Sequence, residues 1–166
     1  MNTICSCCGR TQGETIRPFD DRVSHVMCAN CGEYFSMLWD GKTDMSALES
    51  RKLPVFRLTV GRRLVACNKK AEAALRKPAG LMAGLLCGEF IGCENSTLPE
   101  GCGLTRHCES CALRRALSIT ADTGSTQERV MAFMHINREG APEFTQLTAT
   151  TSRTGDLIEL ELSGLD

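Results

Sequence analysis

The chain has 166 residues, 42% of them hydrophobic, with 11 cysteines, 19 basic and 20 acidic side chains, and a formal net charge of −1. That length holds one ordinary core plus a small appended module, and the near-neutral balance gives no support for nucleic-acid binding. An odd cysteine count with no apolar run in residues 1–10 argues against a secreted disulfide framework and for thiols that are free or metal-bound in a reducing, cytoplasmic compartment, while no stretch approaches the roughly 18 consecutive apolar residues of a membrane helix.

The first module, residues 1–38, carries Cys5-x2-Cys8 and Cys28-x2-Cys31, each closing on a glycine, Gly9 and Gly32. A CxxC turn aims two sulfurs at one point, and the glycine lets the backbone turn its amides toward the thiolates. Two such turns predict a closed, tetrahedral, four-thiolate Zn2+ site. Apart from Tyr34, Phe35, Met37, Leu38 and Trp39 the module has little core, so zinc is expected to supply most of its folding free energy, on the order of 10 kcal/mol or more. Cys5 and Cys7 form a less usual alternative pair, and His25 is an alternative ligand. No βαβ surroundings mark either CxxC as a redox motif.

Residues 39–52 are polar and read as a linker with at most one helical turn. From Leu53 the period changes to that of strands: Phe56, Leu58 and Val60 alternate with Val55, Arg57 and Thr59, and a second run, Arg63 to Cys67, follows Gly61 at hairpin distance. Asn68 caps a helix with Ala71, Ala74 and Leu75 on one face, and Pro78 ends it. Residues 79–111 are rich in Gly and Cys and predict short helical turns at most. A helix from about Cys108 to Ile119 presents Leu113, Ala116 and Leu117, and Asp122 to Ser125 closes it. Three strands follow, near Gln127–Ile136, Glu143–Thr151 and Ile158–Leu162. The order of elements predicts an α+β fold, an antiparallel sheet with helices on one face.

Charge is distributed unevenly. Residues 1–50 carry four basic and seven acidic side chains, residues 51–86 nine and one, and residues 87–166 six and twelve. The +8 of the middle segment is spread over two strands and a helix, which predicts solvated faces more than a phosphate-binding patch.

Pro54–Val60, the turn after it, Leu64–Leu75 and the closing Leu157–Asp166 together resemble a PAS sensor domain over residues 53–166. The resemblance implies a hairpin leading through Asn68 into a short helix, and a last strand that stops at Asp166. Where PAS domains have helices lining a ligand pocket, this chain has Gly88–Glu94 and Gly101–Ala116, similar to a cysteine-rich PAS subgroup of bacterial signalling proteins. The first module likewise resembles a zinc ribbon or rubredoxin-type knuckle pair.

Cys93-x8-Cys102-x5-Cys108-x2-Cys111 falls at the expected pocket, with Gly92, Gly101 and Gly103 beside its thiols. Only one gap is a CxxC, so the paired knuckles of zinc are missing. Irregularly spaced thiolates leading into a helix suit a [4Fe-4S] cluster, with Zn2+ as the alternative. Cys87 is a fifth thiol able to exchange with Cys93, and His107 is an alternative to Cys108. Cys67 reads as a small buried hydrophobe, and His135 gives no metal signal of its own.

No nucleophile, base and orienter stand together, so no catalysis is expected. Two functions compete: a PAS-type sensor whose cluster responds to redox state or gas, and an interaction adaptor held by two zinc ions. No effector segment follows Asp166, so either is expected to signal through a protein partner, such as a kinase or regulator, or by forming a homodimer.

Overall fold

Alternation of apolar and polar side chains, the pattern of half-buried strands, builds a five-stranded antiparallel sheet. The structure, a computed structural model, describes residues 3–4, 11–12, 32 and 44–165. A separate two-stranded ladder joins β1 (Thr3–Ile4) to β2 (Thr11–Gln12). The main sheet contains β3 (Val55–Thr59), β4 (Leu64–Cys67), β5 (Gln127–Arg138), β6 (Ala141–Thr154) and β7 (Leu157–Ser163), in the order β4-β3-β7-β6-β5. Every second residue of the central β7, Ile158, Leu160 and Leu162, is fully buried. These three meet Phe56, Leu58, Leu64, Leu147 and Ala149 in the core.

Helices cover that face. Ala71 of α2 (Lys69–Leu75), Met82 of α3 (Ala79–Met82), Phe90 and Ile91 of α4 (Cys87–Ile91), and Leu113 and Leu117 of α5 (Ala112–Thr123) all join the same core. Phe90 stacks on Phe56 with ring centroids 4.9 Å apart, an offset pairing worth about 0.5–1.5 kcal/mol beyond area burial. Along α5 the buried residues Leu113, Ala116, Leu117 and Thr120 keep helical spacing.

One helix lies on the other side. Met45–Glu49, labelled α1 in chain order, buries Leu48 against Val55 and Ala66 in a cluster of its own. Val55 and Phe56 are successive strand residues and so point to opposite faces. The single helical turn expected within 39–52 is therefore a packed element, and the sheet carries a short helix on its outer face as well as helices on its inner one.

Asn68 is the joint between these layers. It is fully buried, and its Oδ1 accepts from Ala71 N at 3.0 Å and Val55 N at 3.1 Å while Nδ2 donates to Leu53 O at 2.9 Å and Leu48 O at 3.2 Å. One side chain caps α2 and ties down both β3 and the segment leaving α1.

Two expectations change. The helix expected from Cys108 starts at Ala112, because the Cys111 sulfur accepts from Arg114 N at 3.5 Å and takes the N-cap, leaving Cys108 in a preceding 3-10 turn, Arg106–Cys108. The basic segment is also less solvated than its composition implies. Arg57, 8% exposed, pairs with Glu159 at 2.9 Å, and Arg63, 5% exposed, donates to Gly84 O at 2.6 Å. Cross-strand register places Arg57 opposite Glu159, and that pairing lets a charged side chain be buried.

Candidate metal centre

The second cysteine group is assembled by short elements pinned to the sheet. The Glu89 carboxylate accepts from Leu86 N at 2.7 Å at the start of α4, and Gly92 ends the helix at φ 90°, a left-handed conformation that glycine adopts without strain. Cys93 N then donates to Gly88 O at 2.8 Å, and Asn137 N donates to Gly92 O at 2.8 Å, next to an isolated antiparallel bridge between Cys93 and Ile136. The loop bearing Cys93 is thus stitched to β5.

Five thiols line one cavity: Cys87, Cys93, Cys102, Cys108 and Cys111, with Leu86, Leu113, Leu117 and Met134 as apolar wall and Arg62 and Arg114 as its cations. Three of the five receive amide donors. Gly88 N donates to Cys102 Sγ at 3.3 Å, Gly103 N to Cys108 Sγ at 3.2 Å, and Arg114 N to Cys111 Sγ at 3.5 Å. The Ser96 amide beside Cys93 donates to the Cys93 carbonyl at 2.9 Å. The Thr105 hydroxyl lies 3.2 Å from Cys108 Sγ. Cys87 and Cys93 have no such donor among the described residues. The four thiols singled out in the sequence and Cys87 thus line one cavity, and three of the four accept backbone amides.

Electrostatics set Cys108 apart from the other shifted thiols of the cavity. Burial pushes up the thiols of Cys93 and Cys102, although the Asn95, Ser96 and Gly88 amides pull the other way. Burial, reinforced by the neighbouring Cys102 and Cys111, raises Cys87 well above the ordinary thiol range. Burial also pushes on Cys108, but the Thr105 hydroxyl, the Gly103 and Thr105 amides and the Arg114 charge outweigh it, so this thiol is lowered. Cys67 is a buried strand residue outside the cavity, pushed up to about 11 by its burial, and His107 is exposed.

Whether these residues fit an iron-sulfur cluster rests on the donor set and the cradle. Four thiols, three of them with amide hydrogen bonds, match what such a cluster takes from a protein. The backbone approaches so closely that a Cβ on Gly88 would sit 2.8 Å from Cys102 Sγ and 3.4 Å from Cys93 Cβ. Arg114 Nε is buried without a hydrogen-bond partner among the described residues. The residues fit. Among the described residues, however, no three His, Cys, Asp or Glu side chains form a group that could hold a single metal ion. Cys5, Cys8, Cys28 and Cys31, with Cys7 and His25, lie outside the described residues.

Sequence reasoning passed over Arg62, Arg114, Thr105 and Gly88. Gly88 left a signal, a glycine inside a helical segment directly after a cysteine. The two arginines left none, since only the folded chain brings the β3–β4 turn and α5 to the same thiols.

No family model matches the chain, and no curated protein matches it. Among solved structures it is similar to the PAS domain of nitrogen regulation protein NR(II) from Vibrio parahaemolyticus, at 12% identity and a TM-score of 0.47, covering 74% of this chain and 99% of that one. It is also similar to the photoactive yellow protein domain of the sensor histidine kinase Ppr from Rhodospirillum centenum, at 10% identity and a TM-score of 0.46, covering 75% and 95%. A third is the PAS domain of BvgS from Bordetella pertussis, at 10% identity and a TM-score of 0.45, covering 78% and 86%. The observed hairpin that leads through Asn68 into a short helix, on a five-stranded antiparallel sheet, is the arrangement that the sequence resemblance to PAS domains implies.

Proposed function

We propose that this chain is a non-catalytic, PAS-type signalling sensor in which Cys93, Cys102, Cys108 and Cys111 hold a [4Fe-4S] cluster and Cys5, Cys8, Cys28 and Cys31 hold Zn2+. The observation that carries this reading is that these four thiols line one cavity, three of them accepting backbone amides. Their irregular spacing, with a single CxxC, suits a cluster better than the paired knuckles of one zinc ion. When bound, the cluster supplies reversible one-electron chemistry and sensitivity to oxidants. The chain's own residues hold and orient it, and Leu86, Leu113, Leu117 and Met134 limit water around it. A change at the thiols has two routes into the sheet, through the Cys93–Ile136 bridge to β5 and through α5, whose first turn is capped by Cys111. From the sheet the signal passes to a protein partner or to a second copy of the chain.

The test is purification without oxygen, followed by metal analysis and a visible spectrum. About four iron atoms and one zinc ion per chain are expected, with a brown colour that bleaches in air. A colourless protein carrying two zinc ions per chain would overturn the cluster and leave a zinc-stabilised adaptor.

A further inference from the structure

The thiol cavity is lined by two guanidinium groups that make no ion pair with a carboxylate among the described residues. Arg62 sits in the β3–β4 turn with φ 65°, a left-handed conformation that a non-glycine residue rarely adopts. That conformation carries its side chain over Gly103, where a Cβ would lie 3.1 Å from Nη2 and 3.3 Å from Nη1. Gly103, itself at φ 88°, is the residue whose amide donates to Cys108 Sγ. The Arg62 charge also reaches Cys87 and Cys102. Arg114 approaches from α5: its backbone amide donates to Cys111 Sγ, its Nη1 donates to Cys108 O at 3.2 Å, and its buried Nε has no partner among the described residues. Neither arginine makes an ion pair among the described residues. Glu89, the carboxylate whose charge reaches Cys102, is turned to the Leu86 amide.

Two half-covered cations facing a set of thiols are favoured where the thiols carry negative charge. A cube of two ferric and two ferrous irons with four sulfides and four thiolates is a formal dianion, and reduction by one electron adds to that charge. We propose that Arg62 and Arg114 are positioning residues that compensate the charge of the metal–thiolate centre, and that Arg62, the one on the sheet hairpin, favours its reduced state. This rests on the cluster reading above. It assigns a role to the β3–β4 turn: because reduction strengthens the pull on the Arg62 guanidinium, the charge of the centre acts directly on a strained turn of the sheet.

The experiment is a redox titration of the full chain carrying its cluster, comparing wild type with Arg62→Gln and Arg62→Lys. Removing a cation disfavours the more negative state, so Arg62→Gln should lower the reduced-to-oxidised ratio at a fixed poise about tenfold, equivalent to about 59 mV for one electron. Arg62→Lys should recover most of that shift, which a merely structural role would not predict. Equal midpoints for wild type and Arg62→Gln would overturn the inference while leaving the cluster in place. Wild-type protein that takes up no iron would overturn the cluster reading itself, and the inference with it. If Arg62→Gln takes up no cluster, loading becomes the readout: iron restored by Arg62→Lys supports charge compensation, and failure of both variants overturns it.

Discussion

Gly88 shows how closely the backbone is fitted to the thiols. It lies inside α4 without a left-handed φ, so alanine there is compatible with the backbone and is favoured by about 0.5–1 kcal/mol on helix propensity. The added methyl would nevertheless meet Cys102 Sγ at 2.8 Å, and Gly88 N is that sulfur's donor. Gly88→Ala is therefore expected to displace Cys102 and lower the iron retained per chain severalfold, with the far-ultraviolet circular dichroism unchanged. Full iron loading in the variant would show that the close approach is incidental. At this scale the sequence was legible in part. The four cysteines at 93, 102, 108 and 111 could be read from spacing and adjacent glycines, and Cys67 from its place in a strand. That Cys102, Cys108 and Cys111 accept backbone amides depends on which amides point at which sulfur, and residues up to 14 positions apart in sequence supply them.

At the scale of elements, α5 joins the centre to the sheet. Leu113 and Leu117 line the thiol cavity, and both belong to the sheet core. The far end of α5 is fixed by the Thr120–Thr151 hydroxyl pair at 2.7 Å and by Arg153 Nη1 donating to Ala121 O at 2.6 Å. Leu117 is 1% exposed, so Leu117→Ala should destabilise the domain by about 2–5 kcal/mol, read as a lower urea midpoint. The same variant should weaken the change in strand-residue spectra of Phe133 and His135 that metal removal is expected to produce in wild type. If wild-type strands do not respond to metal removal, the centre is only structural. The periodicity of Leu113, Ala116 and Leu117 makes α5 legible as a helix, but it starts at Ala112, four residues after the expected Cys108. Cysteine is not a usual N-cap, and a sulfur taking the Arg114 amide is a tertiary consequence of the loop before it.

For the whole molecule, the remaining expectation concerns the relation between the two cysteine groups. Residues 53–165 have a core of their own, built on Phe56, Phe90, Leu117, Leu147 and Leu160, whereas the composition of residues 1–38 leads us to expect that module to depend on metal. Cys8→Ser or Cys31→Ser should abolish hydrogen-exchange protection around Tyr34 and Phe35 while strands β3 to β7 keep theirs. Native protection near Tyr34 in either variant would refute a zinc-dependent module. Among the described residues no helix is long and apolar enough to cross a membrane. What the sequence determined by itself was everything carried by local period: the strand faces, the Asn68 cap and the α+β order, because side-chain alternation and turn chemistry are set by near neighbours. Only the tertiary structure decided that Met45–Glu49 packs on the outer face, that Arg57 is buried against Glu159, and that Arg62 and Arg114 converge on the thiols. Each of these depends on pairings between distant segments, where burial and charge compensation, invisible along the chain, determine which side chains meet.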